Sequence, residues 1–278
     1  MPFPFRYSIC NEIFEGIPFH QACRTARALG YDGIEIAPFT LADSPASLRL
    51  AKRKQYRGIM NSEGLCFAGL HWLMVAPKGL HVTTPDPAVR ERSWQHIRDL
   101  IDLCADLGDN GVMVFGSPKQ RCATEGSSVE EATKRLQDGL AGVSGHAMER
   151  GVTILLEALP LSQCDLVRTL EEATRIVREV GSPSIRTMFD THNAEDETEP
   201  PADLIDRYFE YIRHIHVNEM DGRHPGTGAY DFRAVLDVLR RRNYSGWISL
   251  EVFDFSAGAE NIARESLDYL KSLAEQGE

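Results

Sequence analysis

No apolar run in this 278-residue sequence approaches the roughly 20 residues that a membrane-spanning helix needs, which argues against an integral membrane protein. Met1–Arg6 carries no basic segment followed by an apolar stretch, so no secretory leader is expected. Cysteine is sparse and scattered: Cys10, Cys23, Cys66, Cys104, Cys122 and Cys164 form no CxxC pair. That pattern gives no support to a zinc ribbon and predicts reduced thiols in a cytoplasmic protein. Positive charge is in deficit, with 30 Lys and Arg against 41 Asp and Glu, a net charge of −11. A field of that sign repels phosphate backbones, so neither a nucleic acid nor a membrane surface is the expected partner. With 42% hydrophobic and 26% charged residues, the chain is neither disordered, collagenous nor a coiled coil.

What is present is a strict alternation of short apolar runs and amphipathic stretches. Strands are predicted at Arg6–Phe14, Asp32–Ala37, Leu65–Leu73, Gly111–Phe115, Val152–Leu156, Ile185–Phe189, Ile215–Val217 and Trp247–Val252. Helices are predicted at Phe19–Leu29, Ala46–Ser62, Ala88–Leu107, Val129–Arg150, Leu170–Val180, Pro201–Ile212, Phe232–Arg242 and Ala259–Ala274. The strands are continuously apolar rather than alternating, as in a parallel sheet covered by helices. Eight units of about 35 residues, with no long insertion, predict an α/β fold: a single-domain (βα)8 TIM barrel over residues 1–278.

Barrel enzymes build their sites at the C-terminal ends of the strands. Glu157 follows ILL, Asp190 follows TMF, His216 lies in HIHV and Glu251 follows ISL. Charges placed directly after apolar runs are costly to bury without a partner, so their recurrence on four successive strands points to one shared site. Three carboxylates and one imidazole suit a single divalent cation, Mn²⁺ first, with Mg²⁺ or Co²⁺ as alternatives.

LGYDGIEI (29–36), LLEAL (155–159), MFDTHN (188–193), HIHVNE (214–219), PGTG (225–228) and SLEVF (249–253) together resemble the xylose-isomerase-like sugar isomerases and epimerases. That family includes ketose 3-epimerases, hydroxypyruvate isomerases and inosose dehydratases. The resemblance implies that Glu157, Asp190, His216 and Glu251 hold the metal and that an Arg before the Pro-Gly-x-Gly loop, here Arg223, reaches the substrate. Two positions depart from the pattern. Asn193 stands where many members have His, with His192 beside it, and Gln163 stands where ketose 3-epimerases have a second Glu.

Further candidates surround this set. Glu35, His71 and His192 are read as contacts to substrate hydroxyls, with Trp72 as an apolar wall. Lys119 and Arg121 are read either as a binding pair for a phosphate or carboxylate or as a solvated basic loop. The basic stretch 49–54 and the acidic run 195–199 are read as solvated, the latter close enough to the site to draw cations. The expected reaction is proton abstraction next to a carbonyl of a small sugar or polyol-derived ketone, with Glu157 and Glu251 moving the proton. Dehydration of an inosose-like ketone and a non-catalytic sugar-binding barrel are the alternatives. Whether the chain forms a homo-oligomer is left open.

Overall fold

The computed structural model describes residues 5–276; Met1–Pro4, part of the N-terminal stretch considered above, lie outside the described residues. The strands are β1 (Arg6–Cys10), β2 (Gly33–Ile36), β3 (Cys66–Leu70), β4 (Val112–Phe115), β5 (Thr153–Leu156), β6 (Ile185–Asp190), β7 (Ile212–Val217) and β8 (Trp247–Leu250). They alternate with α1 (Phe19–Leu29), α2 (Leu50–Glu63), α3 (Pro87–Leu107), α4 (Val129–Glu149), α5 (Leu170–Val180), α6 (Pro201–Tyr208), α7 (Phe232–Arg241) and α8 (Ala259–Glu275). Each strand pairs in parallel with its sequence neighbour, and β1 closes on β8 with Ser8 opposite Ser249. The architecture is a single-domain (βα)8 barrel, as the alternation predicted.

Local chemistry sets the element ends. Asp86 caps α3 by accepting from the N–H groups of Ala88 and Val89, with Pro87 in the first turn. Ser128 and Glu131 form a reciprocal capping box on α4. Gly30 ends α1 at φ +100°, a left-handed conformation that a Cβ would strain. On α5, Leu170, Ala173, Thr174, Ile176 and Val177 are buried, the one-face spacing of a helix laid on a barrel.

Several boundaries differ from expectation. β1 stops at Cys10, because the Asn11 side chain turns the next residues into a 3-10 turn by accepting from Ala37 N at 2.7 Å and donating to Thr40 at 2.8 Å. β3 ends before His71, and Trp72 at φ +51° breaks the extended run. α2 begins at Leu50 rather than Ala46, since Pro45–Ser47 forms its own 3-10 turn. Helix six was expected to run to Ile212, but Ile212 pairs with Thr187 and opens β7. The basic stretch on α2 is not simply solvated: Arg53 holds the carbonyls of Leu48 and Ala46 and pairs with Asp106 at 3.0 Å.

The outer core joins the helices to the barrel wall, while Val112, Val114, Leu155 and Met188 form a separate apolar cluster on β4 to β6. β7 and its neighbours across the barrel are different. Glu35, Thr187, His214, His216 and Ser249 are all wholly buried there, so this part of the barrel is polar.

Candidate metal centre and active site

Glu157 is the first residue past β5, Asp190 ends β6, His216 is the penultimate residue of β7, and Glu251 is the first past β8. Strand register places Asp190 opposite His216, and His216 opposite Ser249, two residues before Glu251. All four side chains are buried, at 0 to 6% exposure, and one potential ligand atom from each lies within 4.8 Å of the others. His216 Nδ1 lies 2.9 Å from Glu251 Oε2 and 4.0 Å from Asp190 Oδ2. The structure thus brings together the four residues that the strand ends predicted.

Asn193 ties two of them together. Its Nδ2 donates to Glu157 Oε1 and to Asp190 Oδ2, each at 2.9 Å, while its Oδ1 accepts from Gln163 at 2.8 Å. The two departures from the family pattern therefore bond to each other and orient the carboxylates. On the other side of Glu157 there is no side chain at all. A Cβ on Gly116 would lie 2.1 Å from Glu157 Oε2, well inside contact distance, so the carboxylate occupies the space that glycine leaves.

The electrostatics show an excess of negative charge. Burial pushes Glu157 well above the usual carboxylate range, and the charges of Asp190 and Glu251 push it further. Asp190 is raised in the same way, by burial and then by Glu251. Burial opposes charge on Glu251 too, but the neighbouring His216 outweighs it and holds Glu251 low. Burial would lower His216, yet Glu35 and Glu251 hold it well above the imidazole range.

Glu35 was expected at the mouth. Instead it is wholly buried behind His216, accepting from His214 Nε2 at 2.8 Å and from His216 Nε2 at 3.1 Å. With Nε2–H given to Glu35, Nδ1 of His216 is the nitrogen that faces the three acids and would offer its lone pair to a cation on losing its proton. Burial opposes the Glu35 charge, but the two imidazoles outweigh it and hold its carboxyl well below its ordinary value.

His71, also buried, bonds to Glu12 at 2.7 Å. Burial would lower this imidazole, but the Glu12 carboxylate, with help from Glu35, raises it to about 9. His71, Trp72, Gly116, Asn193, Glu157 and Glu251 line a small cavity of about 40 Å³, with Phe253 at its edge. Phe253 packs edge-on against Trp72 at 6.3 Å between ring centres and at a tilt against His192 at 4.7 Å. His192 also lies 3.3 Å from the carbonyl of Glu219.

The structure does not bring Arg223 to this cluster. Its side chain is 43% exposed and pairs with Asp221 at 2.7 Å. It lines a separate, wider surface cavity of about 820 Å³ together with Glu219 and Tyr230. That cavity is larger, but it contains none of the four clustered residues. The Pro225–Gly228 turn is built around Glu219, which accepts from Gly226 N and Tyr230 N, each at 3.1 Å. Lys119 is exposed but Arg121 is wholly buried, donating to the carbonyls of Phe115 at 3.0 Å and Glu157 at 2.8 Å, so the two do not form an anion pair. The acidic run also has local partners: Glu195 accepts from Ser162, Asp196 from Arg168 and Leu161 N, and Glu197 from Leu170 N. These bonds clamp the loop after β5.

His214, Glu12 and the bridging roles of Asn193 and Gln163 escape a strand-end reading. Only His214 carries a signal in the sequence, since it lies two residues before His216 on one strand and so shares its face.

The sequence profile described as xylose isomerase-like TIM barrel matches residues 23–273. The D-psicose 3-epimerase of Enterocloster bolteae is 30% identical over 234 residues, covering 83% of this chain and 75% of that protein. The L-ribulose 3-epimerase of Mesorhizobium japonicum is 26% identical over 244 residues, covering 86% and 77%. A D-psicose 3-epimerase from Clostridium cellulolyticum H10, solved with D-tagatose, superposes at a TM-score of 0.84 with 18% identity, covering 97% of this chain and 99% of that one.

Proposed function

The chain belongs to the xylose isomerase-like TIM barrel family, and on that footing we propose that it is a divalent-metal-dependent sugar epimerase or isomerase acting next to a carbonyl. The observation that carries this reading is the burial of Glu157, Asp190, His216 and Glu251 with potential ligand atoms within 4.8 Å of one another. The donor set fits a hard divalent cation, with Mn²⁺ the first choice and Mg²⁺ or Co²⁺ the alternatives: three carboxylates, one imidazole and a surplus of negative charge that burial makes costly. Such a cation, when bound, stabilises the negative charge that develops as a proton leaves the carbon beside a carbonyl.

The protein's own groups divide the remaining work. Of the four, Glu157 and Glu251 line the mouth, whereas Asp190 and His216 do not. All four are assigned to holding the cation, and Glu157 and Glu251 in addition to removing and returning the proton. Trp72 and Phe253 give the mouth an apolar wall, and His71 with Glu12 offers a fixed polar partner for a hydroxyl. Among the described residues lining the mouth there is no Lys or Arg, which favours a free sugar over a phosphorylated one.

The test is solvent-hydrogen exchange. The chain is incubated in D₂O with Mn²⁺ and a panel of free ketoses, and products are read by NMR and mass spectrometry. Deuterium incorporation next to the carbonyl is expected, together with stoichiometric Mn²⁺ binding that His216→Ala weakens. Loss of water to an ultraviolet-absorbing enone would replace this reading with a dehydratase. A chain that binds none of the three cations would overturn the metal assignment.

A further inference from the structure

We propose that Cys122 and Cys164 are a redox modification site: hydrogen peroxide joins them in a reversible disulfide that links the loop after β4 to the loop after β5, beside Glu157. This goes beyond the proposed activity, and its primary test does not depend on that activity.

All six cysteines are free thiols, and the sulfurs of Cys122 and Cys164 lie within 4.8 Å of each other and of the Asp165 carboxylate. Cys122 is half-buried and Cys164 is 2% exposed. Cys122 Sγ donates to the Pro118 carbonyl at 2.8 Å and lies 3.6 Å from the carbonyl of Gln163, the residue before Cys164. One residue further along, Ala123 N donates to Asp165 at 2.9 Å. The two loops are thus already stitched together on either side of the thiols. A disulfide needs its Cα atoms within about 7 Å and its sulfurs about 2.05 Å apart, so closing the gap takes side-chain rotation and a small backbone adjustment.

The surroundings favour a thiolate. Arg121 is wholly buried, and its Nε and Nη2 have no hydrogen-bond partner. Among the described residues no carboxylate forms an ion pair with it. Burying a guanidinium is costly, and its charge acts on the Cys164 sulfur as well as on the Glu157 carboxylate. The neighbouring Cys122 sulfur, against burial and with the Arg121 charge, pushes Cys164 down, while Cys164 and burial raise Cys122.

The chemistry balances as follows. One sulfur of the pair attacks a peroxide oxygen, the O–O bond breaks and the departing oxygen leaves as water, giving a sulfenic acid. The second sulfur attacks the sulfenic sulfur and displaces its oxygen as another water. Two thiols and one hydrogen peroxide become one disulfide and two waters, with the thiols oxidised and the peroxide reduced.

The bond would be felt at the site. Arg121 also holds the Glu157 carbonyl, and Gln163, next to Cys164, holds Asn193, which bridges Glu157 and Asp190. Oxidation removes the thiolate that faces Arg121 and shifts both supports.

The test treats the full chain with hydrogen peroxide, blocks the remaining thiols by alkylation, and digests with trypsin. Peptides 122–134 and 151–168 are expected to be joined, lighter by two hydrogens than their sum, and separated by dithiothreitol. Cys122→Ser should abolish the link while Cys164 remains alkylatable. Should that variant not fold, the map of the native chain decides alone. Recovery of Cys122 and Cys164 as alkylated thiols, with oxidation confined to exposed Cys66, would overturn the proposal. A second measurement rests on the proposed metal site: Mn²⁺ affinity should fall about tenfold on oxidation and recover on reduction. An unchanged affinity would overturn the link to the site.

Discussion

Replacing Glu35 by Gln tests the carboxylate behind His216 most directly. The side chain keeps its shape and loses its charge, while two imidazoles still face it, His214 Nε2 at 2.8 Å and His216 Nε2 at 3.1 Å. A hydrogen bond to a charged group contributes about 1.5–3 kcal/mol and a neutral one about 0.5–1.5 kcal/mol, so two weakened bonds cost on the order of 2 kcal/mol. For a chain of this size that corresponds to a fall in Tm of roughly 3–4 °C. The amide has a second effect, because only one of its two heads accepts. If its NH₂ faces His216, Nε2 must become an acceptor and the ring proton moves to Nδ1, the nitrogen aimed at the three acids. Metal affinity should then fall by about 10–100-fold, as for other losses of a group that orients a ligating histidine. Calorimetric unfolding in EDTA and Mn²⁺ titration measure the two effects separately. A variant that loses the expected stability but binds Mn²⁺ within about threefold of the native chain would refute the orienting argument.

Glu157→Gln and Glu251→Gln should each cut turnover by about 10²–10⁴ while part of the metal binding survives, measured by deuterium exchange and Mn²⁺ titration; a variant with normal metal binding and most of its activity would lose its proton-transfer role. Stability in the metal-free chain should depend on the His71–Glu12 pair. The folded His71 value, about 9, lies above the unfolded one, so the contribution is fully present below pH 6.5 and is lost as pH rises to about 9. Glu12→Gln should therefore lower stability by on the order of 3 kcal/mol at pH 6 and by much less at pH 9.5, as followed by urea unfolding; equal losses at both values would exclude a charged His71. Arg223→Ala should leave kcat/KM within about threefold, because its partner Asp221 is on the surface and the pair is exposed; a tenfold rise in KM would show that substrate draws this loop over the mouth.

The alternation of apolar runs with amphipathic stretches is enough to read the barrel, because each strand must be covered and each helix must bury one face. The four clustered residues are legible for a related reason: a charge directly after an apolar run has few places to go except the strand's C-terminal end. Depth was not legible. Glu35 lies inside its apolar run, one residue before the end of β2, and its pairing with Cys10 and Gly69 sets it behind His216 rather than at the mouth. Arg121 looks like half of a basic loop in Lys-Gln-Arg, yet the 3-10 turn at Pro118–Gln120 precedes it and its guanidinium is buried against two carbonyls. The overrun of helix six has the same origin. Ile212 suits the helix pattern equally well, and only its pairing with Thr187 assigns it to a strand.

The missing side chain at Gly116 constrains which substitutions this site accepts. Glycine has no smaller replacement, so every substitution there adds atoms at the position of the Glu157 carboxylate, 2.1 Å from where a Cβ would stand. Positions 116 and 157 are therefore sterically coupled: a side chain at 116 must push the Glu157 carboxylate out of its present place. A lineage that first acquired a side chain at 116 would have to move the acid or abandon it, freeing the fifth strand for another role. A residue with no side chain thus fixes where a charged one can stand, and a change at 116 is felt first at the Glu157 carboxylate.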